Sequence, residues 1–126
     1  IQLARELAAE SDAPESLAFL CSDYEALKFE NEFDCVVFFD CLHHADDERA
    51  ALASAWRALK PGGVVITHEP GEGHSVGPHS VRAMELYGVN ERDMPPALII
   101  KQARSIGFRE WRIVPMQHTI FEIFYG

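Results

Sequence analysis

Residues 33–70 constrain the fold more than any other part of the chain. They contain two short, uninterrupted apolar runs, at residues 36–39 and 64–67. Such runs, without polar alternation, are typical of strands buried on both faces of a parallel sheet. A helical pattern lies between them, so this segment predicts a strand–helix–strand unit with parallel strands.

The connecting segment predicts one helix with clear ends. Asp46 or Asp47 can cap its start, and the helix is predicted to run to about Lys60, where proline and glycine follow at residues 61–63. Its predicted buried stripe consists of Leu52, Trp56 and Leu59.

The rest of the chain predicts further elements of one α/β domain. Helices are predicted at residues 1–10 and 80–87, and from about residue 93 to Ile106, before Gly107. A short strand is predicted at residues 17–21. Strands at residues 111–114 and 119–125 are predicted to form an antiparallel hairpin. No repeat or linker divides residues 1–126.

Polar residues follow both central strands at the point where each ends. Residues 40–44 read Asp-Cys-Leu-His-His after the first, and residues 68–70 read His-Glu-Pro after the second. Ligands of open α/β sheets bind beyond the carboxyl ends of the strands. We therefore expect the two polar tails to converge on a shared crevice.

Composition excludes some classes of partner. The net charge is −9 and the eleven lysines and arginines are scattered, which argues against binding to nucleic acid or to an anionic membrane. No apolar run approaches the roughly 20 residues of a membrane span. Cys21, Cys35 and Cys41 are odd in number and predict core thiols in a reducing cytoplasm.

The motifs around the central unit resemble those of a known family. Phe33-Asp34 precedes the first strand, Asp40-Cys41-Leu42-His43-His44 follows it, and residues 59–63, Leu-Lys-Pro-Gly-Gly, precede the second. Together they are similar to class I S-adenosylmethionine-dependent methyltransferases, and most of all to the type 11 methyltransferase-domain group. The resemblance implies a Rossmann-like sheet with helices on both faces and S-adenosyl-L-methionine as cofactor.

The chain departs from the family pattern at its start. The first two strands of the family, its glycine-rich loop and the acidic residue for the ribose hydroxyls have no counterpart here. Ile1 also enters a helical pattern without a capping residue. We therefore expect residues 1–126 to be the later part of such a domain, truncated at its N-terminus.

The resemblance implies a set of cofactor-binding residues. Asp23 matches the position whose carboxylate accepts a hydrogen bond from the adenine amino group, and Tyr24 offers a ring for the purine. Phe39, Asp40 and Cys41 fall in the segment that lines the methionine part. Each also has a structural interpretation: Asp23 as the cap of a turn, and the segment as packing.

Three residues are predicted to face the methyl acceptor. His43 and His44 are candidate bases, since histidine exchanges protons near neutrality, and Glu69 is expected to orient an amine or hydroxyl. The alternatives are packing and capping for the histidines and an exposed loop carboxylate for Glu69. No metal site is predicted, because neighbouring side chains on a strand or helix point apart.

These features support an enzyme that transfers a methyl group to an oxygen, nitrogen or carbon of a small molecule. The fragment alone is expected to be inactive. The alternative is a catalytically incomplete module that acts in protein association, either as a homodimer through the exposed edge of the strand at residues 36–39 or with residues 17–21 closing that edge. Half of a nucleotide-binding oxidoreductase is a third interpretation, but it gives the two motifs no role.

Overall fold

A computed structural model describes residues 1–11 and 14–114 of the chain. The regular elements of this part are α1 (Gln2–Ala9), β1 (Phe33–Phe39), α2 (Glu48–Ala58), β2 (Leu59–His68), α3 (Pro78–Tyr87) and α4 (Pro96–Ile106). Single 3-10 turns occur at Pro14–Ser16, Tyr24–Ala26 and Leu42–His44. None of the helices in these ranges is long and apolar enough to cross a membrane.

Strands β1 and β2 pair in parallel, which confirms the predicted strand–helix–strand unit. Val36 lies opposite Val65 and Phe38 opposite Thr67. The register shifts near the start of β1, where Phe33 pairs with Leu59 but Cys35 pairs with Val64. The proline and glycines of residues 61–63 lie within this irregular start of β2.

Helix α2 begins where the sequence predicts. The carboxylate of Asp47 accepts a hydrogen bond from the backbone N–H of Ala50 at 3.0 Å and so caps the first turn. The helix ends at Ala58, two residues earlier than expected. The reason is that Leu59 already has extended backbone, with ψ of 139°, and opens β2.

The core lies between one face of the sheet, helix α2 and helix α4. Leu52 of α2 is 1% exposed, as predicted. Trp56, by contrast, is 43% exposed, so its place in the buried stripe was wrong. Its indole lies at the rim of the core, where it packs edge-on against Phe108 with ring centroids 4.5 Å apart and covers Gly107.

The opposite face of the sheet is open, contrary to the prediction of strands buried on both faces between two helical layers. Its apolar side chains Val37, Phe39, Val64 and Ile66 are between 52% and 69% exposed. The physical reason is that α2 and α4 pack against each other over the same face. The exposed face also includes Cys35, which is therefore not the core thiol that was predicted.

Two predicted strands do not form. Residues 17–21 and 111–114 carry no ladder hydrogen bonds, because a strand needs a partner and the sheet of the described residues contains β1 and β2 alone. The antiparallel hairpin is thus not supported, and its second half, residues 119–125, lies outside the described residues. Residues 17–21 do not close the outer edge of β1, and the homodimer through that edge stays a prediction.

Glu48, in the first turn of α2, ties this helix to α4 and to the segment before α4. Its carboxylate accepts a hydrogen bond from Nε2 of Gln102 at 3.0 Å and forms an ion pair with Arg92 at 2.8 Å. Burial opposes ionisation, but hydrogen bonds from its own backbone N–H and from Gln102, with the charge of Arg92, outweigh it. The pKa of Glu48 is therefore lowered.

We expect Glu48→Gln to reduce the free energy of unfolding at neutral pH by about 1–2 kcal/mol, because it removes the charged partner of a partly exposed arginine. A carboxyl whose pKa is lowered by folding stabilises the fold above its unfolded pKa, and this contribution disappears as the pH falls through the folded value. Urea unfolding at several pH values should show a difference from the native protein that is constant near neutrality and vanishes in acid. A difference that grows on acidification contradicts the ion pair.

Candidate functional site

The polar tails of β1 and β2 meet at the carboxyl end of the sheet, as the sequence predicts. The backbone N–H of Asp40 donates to the carbonyl of His68 at 2.7 Å. Asp40 then adopts a left-handed backbone conformation with φ of +53°. This conformation turns the chain sharply after β1, so that residues 41–43 pass over the end of β2.

The carboxylate of Glu69 lies between the two tails and joins them. One oxygen accepts hydrogen bonds from the backbone N–H groups of Cys41 (3.1 Å) and Leu42 (2.8 Å). The other accepts from the backbone N–H of His43 (3.2 Å) and from its Nδ1 (2.8 Å). The side chain of Glu69 is 1% exposed, so its contacts are those of a residue that shapes the loop.

The Glu69 contact fixes the orientation of the His43 ring. An ionised carboxylate only accepts hydrogen bonds, so Nδ1 of His43 carries the hydrogen and Nε2 has the lone pair of the neutral ring. Nε2 lies 3.5 Å from a carboxylate oxygen of Glu91. The side chain of His43 is 3% exposed and that of His44 is 39% exposed, so only His44 is open to a solute.

Two residues that sequence analysis did not predict complete this cluster. Nε2 of His74 lies 2.7 Å from the Glu91 oxygen that faces His43, and the His74 ring packs edge-on against the His43 ring at 4.9 Å. Nδ1 of His44 lies 2.5 Å from the carbonyl oxygen of Asn90. His74 and Glu91 belong to different segments of the chain and share no motif that would reveal the contact.

The glycine-containing loop at residues 71–77 is tied to the same segment. The carboxylate of Asp93 accepts hydrogen bonds from the backbone N–H groups of Ser75 (2.7 Å) and Gly73 (3.0 Å). These bonds lower the pKa of Asp93. The backbone N–H of Met94 also donates to the carbonyl of Pro70 at 3.1 Å, so both ends of the loop are anchored.

The predicted cofactor residues come together around one hydrogen bond. The hydroxyl of Tyr24 donates to the carbonyl of Cys41 at 3.1 Å, which places residues 23–24 beside the loop after β1. Burial, followed by nearby negative charge, raises the pKa of Tyr24. Asp23 is exposed and its carboxylate caps a turn through the backbone N–H of Glu25 at 2.8 Å, which is its structural interpretation.

Two further predicted residues differ in exposure. Phe39 is 69% exposed and its ring stacks on that of His68 with centroids 4.7 Å apart. Cys41 is half-buried, and burial together with the Glu69 carboxylate raises the pKa of its thiol. A thiol with a raised pKa is a poor nucleophile at neutral pH, so Cys41 contributes through its backbone.

Cavities open on the far side of Tyr24 rather than between the strand tails. The larger has a volume of about 370 Å³ and is lined by Leu20, Ser22, Ala26, Leu27, Lys28, Phe29 and Glu32. A second, of about 240 Å³, lies against the start of β1. Neither is lined by a predicted site residue. The space between the two tails, where a crevice was expected, contains the Glu69 carboxylate.

Comparison with known proteins identifies the family. The model of a methyltransferase domain matches residues 1–67, a range that includes the turn at Tyr24, strand β1, the loop after it and nearly all of β2. The chain therefore belongs to this methyltransferase-domain family, within the class I S-adenosylmethionine-dependent methyltransferases. A search of curated proteins gives no significant match.

Solved structures of methyltransferases share the fold. A SAM-dependent methyltransferase from Thermotoga maritima, described as a possible histamine N-methyltransferase, is 27% identical, with a TM-score of 0.58 over 72% of this chain and 45% of its own. A putative methyltransferase from Haloferax volcanii, in complex with the Trm112 activator, is 27% identical, with a TM-score of 0.67 over 85% and 45%.

A third structure contains a bound cofactor product. It is phosphoethanolamine N-methyltransferase 2 from Haemonchus contortus, in complex with phosphomonomethylethanolamine and S-adenosylhomocysteine. It is 30% identical, with a TM-score of 0.56 over 68% of this chain and 20% of its own. The chain thus spans less than half the length of each of these three proteins. Together the comparisons imply S-adenosyl-L-methionine as the cofactor of the family to which it belongs.

The described residues fit part of such a cofactor. Asp23 presents an exposed carboxylate, which suits an exocyclic amino group, and Tyr24 stands next to it. The loop after β1 has its backbone fixed by Glu69, and the side chain of Asp40 is 63% exposed. This surface offers acceptors and a rigid backbone without needing rearrangement.

Proposed function

We propose that the protein is a methyltransferase that acts on a small-molecule acceptor, and that this chain supplies the adenine and methionine side of the cofactor site. The observation that carries the proposal is the fixed loop at residues 40–43, which lies beside Asp23 and Tyr24 inside the segment matched by the family model. The cofactor supplies an electrophilic methyl group.

The residues of the chain act mainly by positioning. In-line methyl transfer gains most from holding two reactants in the correct geometry. We assign Asp23 to the adenine amino group, Tyr24 to the purine ring, and Phe39, Asp40 and Cys41 to the methionine part. A loop whose backbone N–H groups are already paired with Glu69 keeps its shape when the ligand leaves.

The two histidines differ in the role that their surroundings favour. His43 is enclosed, with one nitrogen bonded to Glu69 and the other facing Glu91, so we propose it as a positioning residue together with Glu69. His44 is partly exposed and its Nδ1 donates to the Asn90 carbonyl. Nε2 of its neutral ring then has a lone pair that can accept a proton from an acceptor.

Amines are the acceptors to test first. Two of the similar structures are described as N-methyltransferases or possible N-methyltransferases, and the acidic chain, with a net charge of −9, favours a cationic ligand over an anionic one. Hydroxyl and carbon acceptors, which the sequence left open, form the comparison set. An activator protein such as that of the Haloferax complex is a further component to add.

Isothermal titration calorimetry with S-adenosylhomocysteine tests the cofactor site in the protein. We expect binding by the native protein and a loss of at least about tenfold, or 1.4 kcal/mol, in Asp23→Ala, because the adenine amino group then lacks its acceptor. Asp34→Ala is the matched control. Asp34 lies at the amino end of β1 in an exposed ion pair with Lys60, so its affinity should equal that of the native protein. Absence of binding by the native protein refutes the proposed function.

A further inference from the structure

We propose that His43, His44 and Glu91 form a binding site for a divalent transition metal ion of the zinc type. One ring nitrogen of each histidine and one carboxylate oxygen of Glu91 all lie within 4.8 Å of one another. This inference does not depend on the methyltransferase activity, because it concerns residues that the family match does not assign and can be measured without cofactor.

Each of the three candidate ligands has a second partner that orients it. Nδ1 of His43 bonds to the buried carboxylate of Glu69, and Nδ1 of His44 bonds to the carbonyl of Asn90. Glu91 receives its own contact from Nε2 of His74. Metal-binding histidines typically donate their second N–H to a carboxylate or carbonyl in this way.

The distance between His43 and Glu91 matches a shared ion. Nε2 of His43, with its lone pair, faces an acceptor oxygen of Glu91 at 3.5 Å, and two acceptors at this distance need a positive charge between them. Ligands of a tetrahedral zinc ion with bonds of about 2.0–2.1 Å are roughly 3.4 Å apart. The alternative occupant is a proton, which the experiment below distinguishes.

The local backbone removes the objection that neighbouring histidines point apart. His43 and His44 lie in the 3-10 turn Leu42–His44 rather than on a strand or long helix, and their rings are only 4.0 Å apart at an angle of 44°. His44 is partly exposed, which gives an ion access. Glu69, near His43, is a poor fourth ligand because its oxygens already accept four hydrogen bonds.

The ligand chemistry selects the type of ion. Two imidazoles and one carboxylate suit zinc and similar transition metals, whereas magnesium and calcium prefer oxygen ligands. Three protein ligands leave the fourth position of a tetrahedral ion open. A bound ion would use the lone pair that His44 needs as a base, so the two roles of His44 exclude each other.

Titration of untagged, metal-free protein with zinc chloride in a calorimeter tests the site. We expect one ion per chain and at least a tenfold loss of affinity in Glu91→Gln, which removes the charge but leaves an amide oxygen for His74. His44→Ala should weaken binding to a similar extent. His79→Gln is the matched control, because His79 is exposed on α3 and outside the cluster.

Cobalt substitution identifies the ligand atoms. We expect visible d–d absorption from a nitrogen- and oxygen-bound ion, lost in Glu91→Gln. An intense thiolate charge-transfer band would place the ion on a cysteine and overturn the proposal. So would absence of zinc binding by the native protein, or equal affinity in Glu91→Gln, His44→Ala and His79→Gln.

Discussion

Replacing Glu69 by alanine should cost about 3–5 kcal/mol of the free energy of unfolding. The substitution leaves the backbone N–H groups of Cys41, Leu42 and His43, and Nδ1 of His43, without the oxygens that now accept from them. Buried donors without partners carry the full cost of their lost hydration. Urea unfolding followed by circular dichroism measures the change.

Two further variants make this expectation specific. Glu69→Gln retains one acceptor oxygen and should lie between the native protein and the alanine variant. Glu72→Ala removes an exposed carboxylate three residues further along the chain and should change stability by less than about 0.5 kcal/mol. Equal stabilities of Glu69→Ala and Glu72→Ala would show that the carboxylate does not shape the loop.

Leu52→Ala should destabilise the protein by about 2–5 kcal/mol, because Leu52 is 1% exposed and lies in the core cluster between the sheet, α2 and α4. Trp56→Ala removes a larger side chain but should cost only about 1–2 kcal/mol, since the indole is 43% exposed. Chemical denaturation of both variants under the same conditions gives the comparison.

The order of these two effects is the decisive result. An amphipathic pattern alone assigns both residues to one buried stripe, and on that basis tryptophan, the larger residue, should cost more. The structure predicts the reverse order. A larger effect for Trp56→Ala would mean that the rim around Phe108 and Gly107 is more deeply buried than the packing indicates.

Local chemistry explains which parts of the fold could be predicted from the sequence. The cap at Asp47, the end of α4 before Gly107 and the parallel pairing of β1 with β2 depend on short-range rules of capping, backbone conformation and connection length. The exposure of Val37 and Ile66 could not be predicted in this way. An apolar run shows that a strand tends to be covered, but it does not show which element covers it.

The candidate site was predictable to the same extent. Parallel strands end at one edge of a sheet, so the proximity of residues 40–44 to Glu69 follows from topology. The burial of Glu69 beneath the loop depends on the left-handed turn at Asp40, which no sequence rule required there. His74 and Glu91 contact each other across 17 positions of separation, and such a contact leaves no local pattern.

The anchoring of residues 71–77 has a consequence for how a small molecule could arrive. Asp93 bonds to the middle of this segment, while Pro70 is bonded to Met94, so opening it as a gate would break several hydrogen bonds at once. The side of His44 that is already solvent-accessible offers a route of entry without that expense. Traffic in and out would then be governed by diffusion along a standing path, and turnover would not have to wait for a hinge to swing.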